Sequence, residues 1–342
     1  MNKIRVRFAG RKEGDSFRGI GVHTKELIQE LQKSTEVEIV TTGADVVHYT
    51  KFNPFFLSLP LIKPRPKVVL TIHDLIPLIY PDRYPPGVKG KLIYNLQKLL
   101  INYVDKIITI SETSKKDICR FLAVQPDKVK VIYLAAGKVF KPITNHQSLI
   151  TVRQKYHLPN IFVLYVGDVN YNKNINNLAE ACKLAGTSLV MVGKQAVDNN
   201  VDLNHAENSE FSKFLTKYKA DPQIIRLGYV DDQSLLEIYN LAAIYCQPSY
   251  YEGFALPILE AFSCGTPVVA SKIQTHVEIA GDAATYADPY SPKDLADKLA
   301  GLMKNNTMLE DLALKGFSKS REFSWEKTAK ETIDVYREVL GK

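Results

Sequence analysis

Short apolar segments alternate with amphipathic ones along most of the chain, and this alternation restricts its fold more than any other feature. The segments predicted as strands in the first half are Ile4–Phe8, Val37–Thr41, Val46–Tyr49, Val68–Ile72, Lys106–Ile110 and Val129–Tyr133. The pattern then restarts with Ile161–Val166, Ser188–Val192, Ile224–Leu227, Ile244–Gln247 and Pro267–Ala270. Predicted helices lie between them, including Val22–Gln32, Leu92–Val104, Asn174–Ala185, Gln233–Asn240 and Leu256–Cys264. Alternation of this kind predicts parallel sheets covered by helices.

The chain is long enough for two domains. It has 342 residues, more than a single hydrophobic core usually holds. The polar stretch Pro142–Pro159 separates the two runs of strands and predicts a linker. We therefore expect an α/β protein with two doubly wound domains, residues 1–145 and 146–324, followed by a last helix over residues 325–342.

Composition favours a cytoplasmic globular protein. No run of eighteen apolar residues predicts a membrane span, and the charged N-terminal segment is not typical of a secretory signal. The four cysteines lack C-x-x-C spacing, and no D-x-D pair occurs, so we expect no bound metal. The net charge of +7 would suit an anionic partner, but no nucleic-acid-binding motif is present, and we expect no nucleic acid.

Residues 251–269, YEGFALPILEAFSCGTPVV, carry the strongest functional signal. Glu252 and Glu260 have seven residues between them, and Pro257 suits the first turn of a helix that would contain Glu260. Free N–H groups at a helix start, with Gly253 allowing close approach, can bind a phosphate, and a carboxylate can accept hydrogen bonds from sugar hydroxyls. Most glutamates near helices are solvated surface groups, so the surrounding residues must decide.

Those surrounding residues, Ser249 to Ser271, resemble the signature of retaining glycosyltransferases of the GT-B fold, the large family that includes sucrose synthases and many bacterial mannosyltransferases. The resemblance implies two Rossmann-like domains facing across a cleft, with the donor on the second and the acceptor on the first. It implies that Glu252 contacts the donor sugar and Glu260 the ribose. It also implies that the last helix crosses back to the first domain. The turn before the helix is implied in donor binding as well, through Gly253, Phe254, Ala255 and Leu256.

A second donor-side motif follows the strand that ends at Val166. Gly167 permits a sharp turn, and Lys173 precedes a predicted helix, where its ammonium would neutralise a departing diphosphate. A lone lysine there would more often be a surface residue, but the glutamate pair favours the functional interpretation. Many relatives have arginine directly after this glycine, whereas this chain has Asp168, which removes one cation from the predicted phosphate site. The resemblance adds three further donor-binding residues: Asn174, Tyr229 and Val230.

The first domain offers residues for the acceptor side. A histidine on an apolar strand is most often a core residue, but the H-D-L run containing His73 and Asp74 resembles the family, where this histidine approaches the donor sugar. Ser111 is predicted at a neighbouring strand end. Gly19 and Gly21 precede a predicted helix, where backbone amides can approach a phosphate or sugar. Threonine at position 24 breaks the G-x-G-x-x-G fingerprint and argues against a nicotinamide enzyme.

A basic amphipathic segment, residues 87–104, allows two interpretations. With Lys89, Lys91 and Lys98 it could rest on an anionic membrane, or it could be an ordinary helix packed on the core.

These observations predict a retaining, metal-independent hexosyltransferase without a cofactor. GDP-mannose is the favoured donor, UDP-sugars are alternatives, and the acceptor is a glycan or a lipid-linked glycan. The predicted catalytic residues are Lys173, Glu252 and His73. Two alternatives stay open: a non-catalytic protein that binds sugar nucleotides, for which Asp168 is the main argument, and a nicotinamide oxidoreductase.

Overall fold

The computed structural model describes residues 3–9, 19–144, 146–197, 202–203 and 205–342. Over these residues the chain forms two compact units, each built on a parallel six-stranded sheet. The first unit comprises the described residues up to Ala135 together with Phe323–Lys342, and the second comprises those from Ala136 to Glu322. Both sheets are covered by helices, so the predicted α/β class is confirmed.

All strands of the described residues except the last coincide with the predicted apolar runs to within a few residues; the last strand, β12, was not predicted. They are β1 (Ile4–Ala9), β2 (Val37–Ile39), β3 (Val46–Tyr49), β4 (Lys67–Thr71), β5 (Lys106–Thr109), β6 (Val129–Val131), β7 (Phe162–Val166), β8 (Ser188–Val192), β9 (Ile224–Gly228), β10 (Ile244–Gln247), β11 (Val268–Ser271) and β12 (Ala284–Ala287). Nearly every residue of the central strands is buried, as expected when both faces of a parallel sheet are covered.

The α-helices of the described residues follow the strands in turn. They are α1 (Gly19–Lys33), α2 (Ile76–Ile79), α3 (Gly87–Leu100), α4 (Glu112–Leu122), α5 (His146–Lys155), α6 (Ile175–Ala185), α7 (Ser209–Tyr218), α8 (Asp232–Leu241), α9 (Leu256–Ser263), α10 (Gln274–Ala280), α11 (Pro292–Met303), α12 (Asn306–Ser320) and α13 (Trp325–Leu340). None of them is both long enough and apolar enough to cross a bilayer.

The strand order places a switch point in each sheet. The first sheet has the order β2-β1-β3-β4-β5-β6, and the second has the order β12-β11-β10-β7-β8-β9. In the second sheet the chain proceeds from β7 to β8 and β9 on one side, then returns to place β10 on the other side of β7. Ligands of open α/β sheets bind outside the carboxyl ends of the strands at such a point. A ligand site is therefore expected at the loops after β7 and β10.

The segment predicted as a linker, Pro142–Pro159, is largely helical, because α5 occupies most of it. Its polar N-terminal residues suggested a loop, but Leu149 and Val152, three residues apart, are buried on one face. Packing of that face against α8 stabilises the helix despite its weak sequence signal.

The last helix, α13, belongs to the first unit and packs on its sheet. Ile333 and Tyr336 join Leu27 of α1 and Val6 of β1 in one buried cluster. Buried hydrogen bonds add specificity: His48 Nδ1 lies 2.7 Å from the Tyr336 hydroxyl, and His48 Nε2 lies 2.7 Å from Thr71 Oγ1. Both ring nitrogens of this buried histidine are therefore satisfied, which a fully desolvated imidazole requires.

Candidate functional site

Two charged side chains meet at the switch point of the second sheet. Lys173 follows β7, in a short 3₁₀ turn over Tyr171–Lys173, and Glu252 follows β10. The Lys173 ammonium donates to both carboxylate oxygens of Glu252, at 2.8 Å to Oε1 and 3.0 Å to Oε2. The glutamate is only 5% exposed. The sequence-predicted residues for the diphosphate and the sugar thus form one ion pair, in which the carboxylate is buried and the Lys173 side chain is 21% exposed.

Neutral groups complete the environment of Glu252. Its Oε1 also accepts hydrogen bonds from Ser249 Oγ, at 2.6 Å, and from Gln247 Nε2, at 2.9 Å. Gln247 is held in turn by the hydroxyl of Tyr245, which donates to its side-chain oxygen. Burial raises the pKa of Glu252. The charge of Lys173 and the hydrogen bonds from Lys173 and Ser249 lower this pKa by more, so it lies below its usual value. The carboxylate is therefore charged at neutral pH.

The backbone between the ion pair and α9 has an unusual conformation. Ala255, the residue before the helix, has φ of 74°, a left-handed value that is uncommon for a residue with a Cβ atom. Pro257 lies in the first turn, as predicted. Pro257 has no N–H, and the Ile258 amide donates to the Ala255 carbonyl oxygen at 3.0 Å, so the first turn of α9 offers fewer free N–H groups than the sequence suggested. Strained backbone of this kind is often associated with ligand sites.

The loop after β7 approaches the end of β8 so closely that glycine is required there. A Cβ atom built on Gly193 would lie 2.1 Å from the Gly167 carbonyl oxygen. No side chain fits that space, so the carboxyl ends of β7 and β8 can meet only with glycine at position 193.

Glu260 has a different environment from Glu252. It lies in the second turn of α9, partly buried, and its Oε2 accepts a hydrogen bond of 2.9 Å from the Tyr239 hydroxyl. Burial raises the pKa of Glu260 to about 7, against the opposing effect of that hydrogen bond. The described residues provide no ion pair for it. Near neutral pH the protonated and the ionised form of this carboxyl group are therefore both populated.

Other predicted donor residues lie close to this edge of the sheet. The Asn174 amide donates to the carbonyl groups of Pro248, at 2.9 Å, and Pro289, at 2.8 Å, and so ties three loops together. Tyr229 is exposed just after β9, whereas the Val230 side chain is buried. Gly253 and Phe254 are buried in the turn before α9. Their roles in ligand binding stay predictions.

In the first unit, His73 lies beyond the carboxyl end of β4 and is 6% exposed. Its Nε2 is 2.8 Å from Nδ1 of His23 on α1. Asp74 accepts a hydrogen bond from the Ile76 amide at 3.2 Å, and Ser111 caps α4 by accepting one from the Ser114 amide at 3.0 Å. These polar groups stabilise the local backbone.

The prediction that Gly19 and Gly21 precede a helix is wrong in detail. Both lie within the first turn of α1, which begins at Gly19. Glycine disfavours helix interiors, which is why the sequence suggested a loop, but the entropic cost is small in a first turn.

Several residues of the site could not be assigned from sequence. Gln247, Ser249 and Tyr239 hold the two glutamates, and Thr275 donates to the Glu252 carbonyl at 2.7 Å. The available signal was the position of Gln247 and Ser249 at the end of a buried strand, where site residues are expected. Tyr239 lies inside a helix, and its contact with Glu260 depends on tertiary packing.

Comparison with solved structures defines the class of fold. The chain superimposes on a sucrose-phosphate synthase from Thermosynechococcus elongatus with a TM-score of 0.75 and 18% identity, covering 99% of this chain and 100% of that one. Anabaena HepE, solved with UDP and glucose, gives a TM-score of 0.73 at 15% identity, covering 97% of this chain and 99% of that one. The fold is therefore that of the GT-B glycosyltransferases.

Comparison of sequences identifies the family. Residues 151–318 match the model of glycosyl transferases group 1, and residues 41–135 match that of glycosyltransferase family 4. The chain is 30% identical over 281 residues to O-antigen chain mannosyltransferase B of Escherichia coli, covering 79% of this chain and 70% of that protein. This chain thus belongs to the group 1 glycosyl transferases. It is also 25% identical over 316 residues to the serotype-specific mannosyltransferase WbdA of Escherichia coli, but spans only 38% of that protein.

Proposed function

We propose that the protein transfers mannose from GDP-mannose to a glycan acceptor, with retention of anomeric configuration and without a metal ion. The observation that carries the proposal is the ion pair between Lys173 and the buried carboxylate of Glu252, at the switch point of the second sheet. Several curated relatives are named as mannosyltransferases, which supports mannose as the sugar. The relatives' names do not specify the base, and UDP-sugars remain the alternative donors.

The ion pair suits the chemistry of a leaving diphosphate. Negative charge grows on the diphosphate as the bond from the sugar C1 to the phosphate oxygen breaks. Lys173, fixed by Glu252, can stabilise that charge without moving. The acceptor oxygen then bonds to C1 on the same face, and its proton passes to an oxygen of the departing diphosphate. This reaction needs no nucleophile from the protein.

The two glutamates would divide recognition between them. Charged Glu252 would accept hydrogen bonds from hydroxyls of the donor sugar while keeping its pair with Lys173. Glu260, a full turn into α9, would accept from the ribose hydroxyls of the nucleotide. His73 keeps its predicted contact with the donor sugar, on the basis of the family resemblance alone.

A panel of nucleotide sugars tests the proposal. The full-length protein is incubated with GDP-mannose, UDP-glucose and UDP-N-acetylglucosamine, with a mannose-terminated oligosaccharide as acceptor, and release of nucleoside diphosphate is measured. We expect GDP release to be fastest, the Glu252→Gln variant to be inactive, and the surface variant Glu310→Gln to behave as wild type. Proton NMR of the product reports the anomeric configuration. Nucleotide binding without turnover would instead support the non-catalytic alternative, and turnover of UDP-sugars alone would overturn the choice of donor.

We further propose that α3 rests on an anionic membrane, as a lipid-linked acceptor would require. Three large apolar side chains lie on one solvent-facing side of this helix, at successive spacings of four and seven residues: Val88, Leu92 and Leu99, exposed by 80%, 66% and 67%. Lysines flank them at positions 89, 91 and 98. Apolar side chains between cations are typical of helices that lie in a membrane interface.

Vesicle sedimentation tests this contact. Binding to vesicles that contain phosphatidylglycerol should exceed binding to pure phosphatidylcholine, and Leu92→Asp should reduce it. Leu314→Asp, at a similarly exposed leucine of the second unit, is the matched control. Equal binding by both variants would place the contact elsewhere.

A further inference from the structure

His23 and His73 form a buried, hydrogen-bonded pair in the first unit. His23 lies on α1 and is 2% exposed, and His73 lies beyond β4 and is 6% exposed. Their rings meet edge to face, with Nδ1 of His23 2.8 Å from Nε2 of His73. A hydrogen bond at this distance needs one proton between the two nitrogens, so each ring constrains the protonation of the other.

Burial keeps both rings neutral. It lowers the pKa of His23 to about 4 and that of His73 well below its usual value. A neutral imidazole has one donor and one acceptor nitrogen. If Nε2 of His73 donates the hydrogen bond, its Nδ1 is an acceptor; if Nε2 accepts the bond, its Nδ1 is a donor.

The second nitrogen of His73 is unsatisfied. His73 Nδ1 is buried and has no hydrogen-bond partner among the described residues. A buried polar atom without a partner typically costs about 1–3 kcal/mol, and in a native structure such an atom requires an explanation. The His73 backbone is anchored by the Ser114 hydroxyl, which donates to its carbonyl oxygen at 2.8 Å. The unsatisfied nitrogen thus belongs to a side chain whose main chain is held in place.

His23 has a second aromatic contact. Its ring stacks on Trp325, the first residue of α13, with centroids 6.0 Å apart and planes inclined by 21°. The order of contacts is therefore Trp325, His23, His73 and then the unsatisfied Nδ1.

We propose that His23 is a positioning residue: through its hydrogen bond to Nε2 it fixes the tautomer and ring orientation of His73, so that Nδ1 is presented to a hydroxyl group of a sugar substrate. This inference rests on the proposed function, because it takes a sugar substrate of that reaction as the ligand of His73. It assigns His23 no contact with the substrate.

Two variants of His23 separate the hydrogen bond from the ring stacking. His23→Phe keeps an aromatic ring against Trp325 but removes the bond to His73. His23→Asn removes the ring but keeps a polar atom near the place of Nδ1. We expect His23→Phe to lower kcat/KM by about tenfold, the effect of one lost hydrogen bond of about 1.4 kcal/mol, and His23→Asn to retain most of the activity.

A double-mutant cycle tests whether His23 acts through His73. In a His73→Ala background, His23→Phe should cause no further loss, because the side chain it positions is gone. An equal loss in both backgrounds would show that His23 supports the fold independently, and would overturn the proposal. So would greater damage from His23→Asn than from His23→Phe.

A spectroscopic measurement keeps the inference separate from the proposed activity. Nitrogen NMR of the imidazole rings, with the His73 signal assigned by its loss in His73→Ala, reports the tautomer without any substrate. Wild type and His23→Asn should show a single tautomer of His73, and His23→Phe should show a mixture. If wild type lacks turnover but this pattern is found, the proposed function fails and the positioning by His23 stands; an unchanged tautomer in His23→Phe refutes the positioning itself.

Discussion

Replacing Lys173 by methionine removes the cation of the buried pair and leaves its carboxylate in place. Methionine preserves most of the side-chain volume, so the main change is electrostatic. Removing one partner of a buried ion pair typically costs about 3–5 kcal/mol. The Lys173 side chain is 21% exposed, and Glu252 keeps its hydrogen bonds from Ser249 and Gln247, so we expect the lower end of this range, a loss of about 3 kcal/mol in the free energy of unfolding at neutral pH.

The pH dependence of that loss identifies its cause. In wild type the pKa of Glu252 is lowered, and the group stays charged from about pH 5 upward. Without Lys173 the effect of burial is no longer outweighed, and the pKa should rise above its unfolded value. The folded variant then binds more protons than the unfolded chain as the pH falls, so its stability increases towards acid. The difference from wild type should therefore shrink between about pH 8 and about pH 5.

Urea unfolding followed by far-ultraviolet circular dichroism measures these differences. The double variant Lys173→Met, Glu252→Gln removes the uncompensated charge and should recover to within about 1 kcal/mol of wild type, because two neutral groups can replace a buried pair. It should remain inactive, which separates stability from catalysis. A loss for Lys173→Met that is independent of pH and not reduced by Glu252→Gln would mean that packing, not the buried charge, explains it.

Three further predictions concern the rest of the molecule. Affinity for GDP should rise about tenfold from about pH 6 to about pH 8, as Glu260 with its pKa of about 7 loses its proton, and titration calorimetry should find this rise missing in Glu260→Gln; the same slope in both proteins would exclude Glu260. Transfer activity should survive excess chelator, and loss that is restored by magnesium or manganese would contradict a metal-independent reaction. The first unit should lose stability as the pH falls from about 6.5 to about 4, since folded His23 takes up its proton only near pH 4, and this amounts to about 3 kcal/mol for that residue. Fluorescence of Trp325, the only tryptophan, reports this unfolding, and the slope should flatten in His23→Asn; an unchanged slope would assign the loss to other groups.

Sequence predicts those parts of this fold whose signal is local. The central strands were found because both their faces are buried, which requires an uninterrupted apolar run such as that of β4. Strand β12 was missed because Ala284–Ala287 lies at the sheet edge and contains small and polar residues. Helix α5 was missed because its stability comes from packing on α8 rather than from its own composition.

In the candidate site, too, local motifs predict single residues, whereas the contacts between them depend on the fold. Motifs marked Lys173 and Glu252 separately, each at the end of a strand. Their pairing depends on the position of β10 beside β7, with β8 and β9 intervening in the chain but not in the sheet. The hydrogen bond between His23 and His73 likewise joins residues fifty positions apart in the chain. No local pattern encodes such contacts, which follow from strand order and helix placement.

The fold also gives different environments to Glu252 and Glu260, the two glutamates of the motif. Glu252 and Glu260 are chemically identical, yet a lysine and a serine keep the first charged, while burial raises the pKa of the second to about 7 despite the hydrogen bond from Tyr239. Where environments separate the pKa values of two carboxyl groups, the groups take different roles. A permanently charged acceptor suits the place where a cation must be held against a departing diphosphate. A carboxyl group that changes its protonation near neutral pH suits reversible binding, because the hydrogen bonds proposed between Glu260 and a nucleotide ribose could form and break without the loss of a permanent ion pair.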